Sequence, residues 1–291
     1  MNLCNIKNRF LFAPWLRHKG IAGLLLVISL TGQAFAEKKL NSVHFTAQSS
    51  NYDVNNQSNQ IDNFIAAGDQ LLILNAADSR GIAPAVIRAN AAGMIVVAVD
   101  GGVDATVTSN NKQAGELDGR YVANRLKGKG QVVIVNGPPV SAIADRVAGF
   151  LDAIKNYPKI KILSKDQNAG GSRVGGLRVM TDLLTAFPKI DAVFSINDEG
   201  GVGCDLAAKQ AGRKDFFIVS VDGAPEVVPF LKDPQSLIAA TAAQDPYSMA
   251  EKAVTIGYDI INGKKPAEAV TLIPVQFITK NNVSSYKGWT K

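Results

Sequence analysis

The chain has 291 residues, 46% hydrophobic and 19% charged, enough to bury one large or two ordinary cores and too apolar for a disordered chain. Lys and Arg (31) exceed Asp and Glu (25), a surplus that suggests a polyanion partner. Four of those bases, Lys7, Arg9, Arg17 and Lys19, lie in the first 36 positions, which hold no acid; the rest carries 27 bases against 25 acids, so nucleic acid is not a required partner.

Along the chain, a mixed stretch bearing those four bases leads into the apolar run Ile21–Leu30, then Thr31-Gly32-Gln33 and the small-residue pattern Ala34-Phe35-Ala36. This order predicts a secretory signal peptide, residues 1–36, cleaved after Ala36. Ten apolar residues fall short of the roughly 20 that span a membrane. Of the two cysteines only Cys204 then remains, so no intramolecular disulfide can form; it lies in the apolar helical stretch GVGCDLAAKQAG and reads as a buried, inert thiol. His44 is expected in a strand over Ser42–Ala47, in a surface or packing role.

Next come the short apolar runs Leu71–Leu74, Ile95–Val99, Val132–Val135, Ala192–Phe194, Phe216–Val221 and Leu237–Ala240, most of them β-branched and apolar on both faces, as strands between helix layers are. Between them Ile61/Phe64/Ile65, Ala114/Leu117/Tyr121, Leu177/Met180/Leu184/Phe187 and Met249/Ala253/Ile256/Ile260 recur at helical spacing. The alternation predicts α/β architecture with parallel, doubly wound sheets, and the number of units predicts two lobes.

Short polar residues follow most runs: Asn75, Asp100, Asn136, Asn197-Asp198 and Asp222. In open parallel sheets ligands sit at the carboxyl ends of the strands, and such side chains there suit an uncharged, polyhydroxylated ligand. Each could equally cap the next helix or open a turn, as Asp222-Gly223 would. No nucleophile elbow, zinc-protease motif, phosphate loop or metal-binding Cys/His spacing is present, and the glycine pairs 101–102, 170–171 and 175–176 lack a dinucleotide frame. The sequence therefore does not read as an enzyme. Asn282-Val283-Ser284 matches a glycosylation sequon.

The stretches NYDVNNQSNQIDNFIAAG (51–68), LLILNAADSRGIAPAVIRANAAGMIVVAVD (71–100), SNNKQAGELDGRYVANRL (109–126), RVAGFLDAI (146–154), GGLRVMTDLLTAFPKIDAVFSIND (175–198), VSVDGAPE (219–226) and TAAQDP (241–246) resemble periplasmic sugar-binding proteins of the ribose-binding type, the solute receptors of ABC importers. The blocks fall in family order over almost all of residues 41–280. The resemblance implies a type I periplasmic-binding fold, with an N-terminal lobe of 37–109 with 245–272 and a C-terminal lobe of 110–244 with 273–291. Three crossovers join the lobes, which close on one monosaccharide or sugar alcohol. It implies Asp100 as the N-lobe acceptor for sugar hydroxyls, Arg146 as the C-lobe donor, and Asn197, Asp222 and Gln244 as the remaining contacts. A carboxylate accepts two O–H donors and a guanidinium donates in a fixed fork, so the set suits a sugar. The implied partners are the ABC permease and a chemoreceptor, with a monomeric receptor, no cofactor and no metal.

Three departures from the family pattern stand out. Gly101 follows Asp100 where ribose-type relatives often place arginine, and Gly171 falls where some carry a sugar-stacking aromatic ring. Glu37–Asn41 reads as the end of the first family helix, so a first βα unit is missing after Ala36. The N-terminal lobe is then incomplete, with its second and third strands either paired directly or left with open edges. A truncated, non-binding relic or interaction module of the family is the alternative. A sugar-responsive regulator would need a helix-turn-helix in place of the leader.

Overall fold

The computed structural model describes residues 24–30, 43–99 and 105–289, with backbone alone for 24–30 and Val43. These residues divide into two compact units. The first holds the described residues up to Thr108 together with Tyr247–Leu272, and the second holds Ser109–Pro246 together with the described residues from Ile273 onward. The chain thus passes between the units three times.

In the first unit β1 (Leu24–Leu30), β2 (Val43–Ser49), β3 (Leu71–Asn75), β4 (Ile95–Val99), β5 (Thr106–Ser109, its last residue already in the second unit) and β11 (Val270–Ile273, likewise) form one sheet in the order β11-β5-β4-β3-β1-β2. β3, β4 and β5 run parallel, as their apolar runs predict. β1 differs from expectation. The segment Leu24–Leu30, read as the apolar core of a leader, lies antiparallel between β2 and β3, from Leu24 opposite Ser49 and from Leu25 opposite Leu74. β2 and β3 therefore neither pair directly nor present open inner edges, because this β-prone run meets the backbone hydrogen-bonding groups of both. His44 is exposed on β2 at the sheet edge.

Helix α1 (Val54–Ala67) starts where the Asp53 carboxylate accepts from the Asn55 and Asn56 N–H groups and stops at Gly68, whose φ of 75° suits a residue without Cβ. Its buried Gln57, Gln60, Ile61 and Phe64 mark one face. With α2 (Ala83–Ala91) it covers Leu72 and Leu74 of β3, while Leu71 points to the opposite face and meets Gly257 of α8 (Pro246–Ile261). Buried Gln57 braces the carboxyl end of β3, donating to the Asn75 carbonyl at 2.8 Å and accepting from the Ala77 N–H at 2.8 Å.

The second unit builds its sheet in the order β12-β10-β9-β8-β6-β7, from β6 (Lys129–Asn136), β7 (Lys159–Asn168), β8 (Ala192–Ser195), β9 (Phe217–Asp222), β10 (Ile238–Ala243) and β12 (Gln276–Thr279). All neighbours are parallel except β12, which is antiparallel to β10. Alternation puts Val132, Ile134, Phe194 and Val219 on one face and Val133, Val135, Val193 and Ile218 on the other. The first face is covered by α3 (Asn111–Arg125) and α4 (Ser141–Ile154), where Phe150 stacks on Phe194 at 4.4 Å. The second is covered by α5 (Arg173–Ala186) and α6 (Asp198–Gln210), whose Cys204 is fully buried, with its thiol pKa driven up by burial. A short helix α7 (Val228–Lys232) completes that side.

Candidate ligand site

The strand ends of the second unit concentrate polar side chains. Arg146 enters from α4 with only 7% of its side chain exposed, and its Nη1 donates at 3.1 Å to Oδ1 of Asp222, the last residue of β9. The same Nη1 donates to the Ile196 carbonyl at 2.8 Å, and Nε donates to Asn111 Oδ1 at 2.8 Å. Gln244, just past β10, donates from Nε2 to Asp222 Oδ1 at 2.6 Å. Three of the residues singled out in the sequence, Arg146, Asp222 and Gln244, thus form one cluster.

The cluster is not saturated. Arg146 has five N–H donors, of which Nε and the two on Nη1 are engaged, so the Nη2 amino group bonds none of the described residues. Gln244 Oε1 is buried and likewise lacks a partner among them. Both belong to side chains bonded to the same oxygen, Asp222 Oδ1, and a donor with an acceptor is the complement of a hydroxyl group, which both accepts and donates.

Asn197 stands apart from the cluster. As the N-cap of α6 it accepts from the Gly200 N–H at 3.0 Å, and its Nδ2 donates to the Gly171 carbonyl at 2.7 Å. It joins the cluster only through the backbone, since the preceding carbonyl, of Ile196, is the one Arg146 holds. Gly171 has φ 65°, and Gly170 before it φ 62°. An aromatic side chain at 171 would be strained there, which explains the glycine in physical terms. Asp100 and Gly101 lie outside the described residues. The sequon's Asn282 is spent on structure, accepting from the Thr279 N–H and donating to the Phe277 carbonyl.

Beneath the cluster lies a residue that sequence reasoning noted only in passing. Asp198 is buried at the start of α6; its Oδ1 accepts from Ser220 Oγ at 2.5 Å and Thr241 Oγ1 at 2.7 Å, and its Oδ2 accepts from the Ala224 N–H at 2.8 Å. The polar interruptions Ser220 and Thr241 in otherwise apolar strands were the available signal. Burial and the nearby Asp222 carboxylate raise the Asp198 pKa to about 7, against the pull of its three donors. Asp118, buried on α3 with neither carboxylate oxygen hydrogen-bonded among the described residues, is raised well above the usual carboxylate range by burial and then by Asp198.

A raised carboxyl pKa means that the folded state keeps a proton which the unfolded chain has released. The stabilisation is full below the unfolded value near 4 and is lost as pH rises towards about 7. The melting temperature should therefore fall between pH 5 and pH 7, by about 2–4 °C per pH unit for one such group. Asp198→Asn keeps the shape and can keep the bonds, because both hydroxyls can turn to accept. Melts at half-unit pH intervals should show a flatter profile for this variant; an unchanged slope would remove Asp198 from the account.

Against known proteins, the periplasmic binding protein domain model matches residues 31–265. The chain is 33% identical to the ribose import binding protein of Bacillus subtilis (strain 168) over 225 residues, 75% of this chain and 72% of the relative. It is 29% identical to the xylitol-binding protein of Mycolicibacterium smegmatis over 253 residues, 84% of this chain and 71% of the relative. The crystal structure of an ABC transporter solute-binding protein from Mycobacterium smegmatis with bound glycerol matches with a TM-score of 0.76 at 28% identity, covering 84% of this chain and 85% of that one.

Proposed function

Since the chain belongs to the periplasmic binding protein domain family, we propose that it captures a monosaccharide or sugar alcohol and delivers it to the membrane permease of an ABC importer. The observation that supports this most is the unspent donor and acceptor of the Arg146–Asp222–Gln244 cluster, which suits a hydroxyl-bearing, uncharged ligand. Arg146 donates from Nη2, Gln244 Oε1 accepts, and Asp222 holds both in place while offering its carboxylate to sugar O–H groups. Asp100 enters the proposal from its resemblance alone, as the acceptor supplied by the first unit. Asn197 enters as the residue that fixes the Ile196 carbonyl and the start of α6.

In this reading ligand binding favours a closed arrangement of the two units about the three crossovers, and closure is what the permease recognises. The relatives are substrate-binding transport proteins, and this chain is read as having no catalytic step of its own. It acts as a monomer in the periplasm, exported by its leader, and a chemoreceptor is a further partner of the closed form.

Melts of the purified chain with a panel of pentoses, hexoses and polyols test the proposal. A ligand that binds only the folded state stabilises it by about 2.7 kcal/mol at 100 times its dissociation constant. We expect at least one member of the panel to raise the melting temperature by several degrees; a cooperative melt that none of them shifts would favour the non-binding relic. The intact mass of the exported protein decides between the two roles of Leu24–Leu30, since cleavage after Ala36 and a β1 strand exclude each other in one molecule.

A further inference from the structure

Asp222 is held in place largely by groups that are not expected to touch a ligand. Its φ is 131°, a backbone region that non-glycine residues seldom occupy, and Gly223 follows at φ 67°. From the Asp222 carbonyl to the Ala224 N–H, each backbone polar group of this bend is bonded. The Asp222 carbonyl accepts from the Gln244 N–H at 2.9 Å and from the Trp289 indole Nε1–H at 2.8 Å. The Gly223 N–H donates to Thr241 Oγ1 at 3.1 Å, and the Gly223 carbonyl accepts from the Tyr286 hydroxyl at 2.6 Å. The Ala224 N–H is the one held by Asp198 at 2.8 Å.

Two of these five bonds come from the segment that follows β12, which therefore lies over the bend. The packing is direct, because a Cβ at Gly223 would stand 2.4 Å from the Tyr286 hydroxyl and 2.3 Å from Ala243 Cβ. One at Gly288 would stand 2.8 Å from Pro225 Cα. Burial, then the charges of Asp198 and Asp222, raise the Tyr286 pKa, so its hydroxyl remains a donor throughout the physiological range.

We propose that Tyr286 and Trp289 are positioning residues for ligand capture. They clamp the strained backbone of Asp222 and Gly223 so that the carboxylate stays seated on Arg146 and Gln244 before a ligand arrives. The inference rests on the reading of Asp222 as a ligand contact. Neither side chain is bonded to that carboxylate, so their contribution to affinity is preorganisation rather than contact. Apart from Trp15 in the predicted leader, Trp289 is the only tryptophan in the sequence, which makes its emission a probe of the Asp222 carbonyl.

The test uses the full chain with Tyr286→Phe and Trp289→Phe, each of which removes one donor and keeps an aromatic ring. Without ligand, amide hydrogen exchange at Gly223 and Ala224 should quicken at least tenfold in each variant relative to the amides of β6. Unchanged protection at both positions overturns the clamp. With D-ribose and xylitol as probes, calorimetry at 25 °C, where the variants remain folded, should show a dissociation constant weakened about three- to tenfold for each. Binding should also shift the Trp289 emission in the wild-type chain. Wild-type affinity in both variants, with lower melting temperatures alone, would reduce the pair to a structural role and overturn the proposal. A wild-type chain that binds neither probe speaks against the sugar reading, and the exchange result then decides the clamp by itself.

Discussion

Arg146→Ala is expected to lower the melting temperature by about 10 °C and to weaken ligand binding by more than a hundredfold. The stability loss follows from what the side chain leaves behind. Asn111 Oδ1, the Ile196 carbonyl and Asp222 Oδ1 each lose a donor, and the half-buried Asp222 carboxylate stays near Asp198 without the arginine charge. Breaking a buried pair from one side costs about 3–5 kcal/mol, and in a chain of this size each kcal/mol moves the midpoint by about 2–4 °C. Asp222→Asn should destabilise for the converse reason, leaving a buried guanidinium uncompensated. The double variant Arg146→Met with Asp222→Asn removes both charges, so it should recover part of the stability and none of the binding. That divergence, read by melts and calorimetry on the same three proteins, separates a ligand-contacting pair from a structural one. A double variant that binds normally would take the cluster out of the site.

Those residues were accessible from the sequence to different degrees. The strands buried on both faces announced themselves as β-branched runs. Ile95–Val99 coincides with β4, Leu71–Leu74 falls within β3, and Val132–Val135 falls within β6. The edge strand β7, Lys159–Asn168, alternates lysines and polar residues towards solvent and carries no such run. Its place shows only through its pairing with β6. Asp222 and Asn197 were found by position at strand ends, yet that position could not say that Asn197 spends its amide on capping while Asp222 meets Arg146. Arg146 itself sits in an amphipathic helix where one guanidinium looks like another. Its burial follows from long-range packing that a local pattern does not encode. Leu24–Leu30 is the reverse case, because one apolar run satisfies both a translocation signal and a strand, and composition alone does not choose between them.

The packing that buries Arg146 yields a second large effect. A Cβ at Gly115 of α3 would lie 1.8 Å from the Arg146 carbonyl oxygen, and one at Gly149 of α4 would lie 2.0 Å from the Lys112 carbonyl oxygen. The two helices are therefore in backbone contact, and this contact sets the 2.8 Å bond from Arg146 Nε to Asn111 Oδ1, one turn before Gly115. In an isolated helix Gly→Ala gains about 1 kcal/mol, so a stabilising effect is the default. At 115 the sign should reverse, because the atom met is main chain in the middle of α4 and can retreat only if the helix moves by more than 1 Å, roughly the overpacking that costs 1–3 kcal/mol or more. Gly115→Ala is thus expected to lower the melting temperature by several degrees and to weaken binding at least tenfold as Arg146 is carried away from Asp222. Gly201→Ala on α6 is the matched comparison: its nearest contact would be Ser220 Cβ at 3.3 Å, which a small shift relieves, and near-neutral stability and affinity are expected there. If the two substitutions behave alike in melts and calorimetry, the close approach of α3 and α4 does not position the arginine.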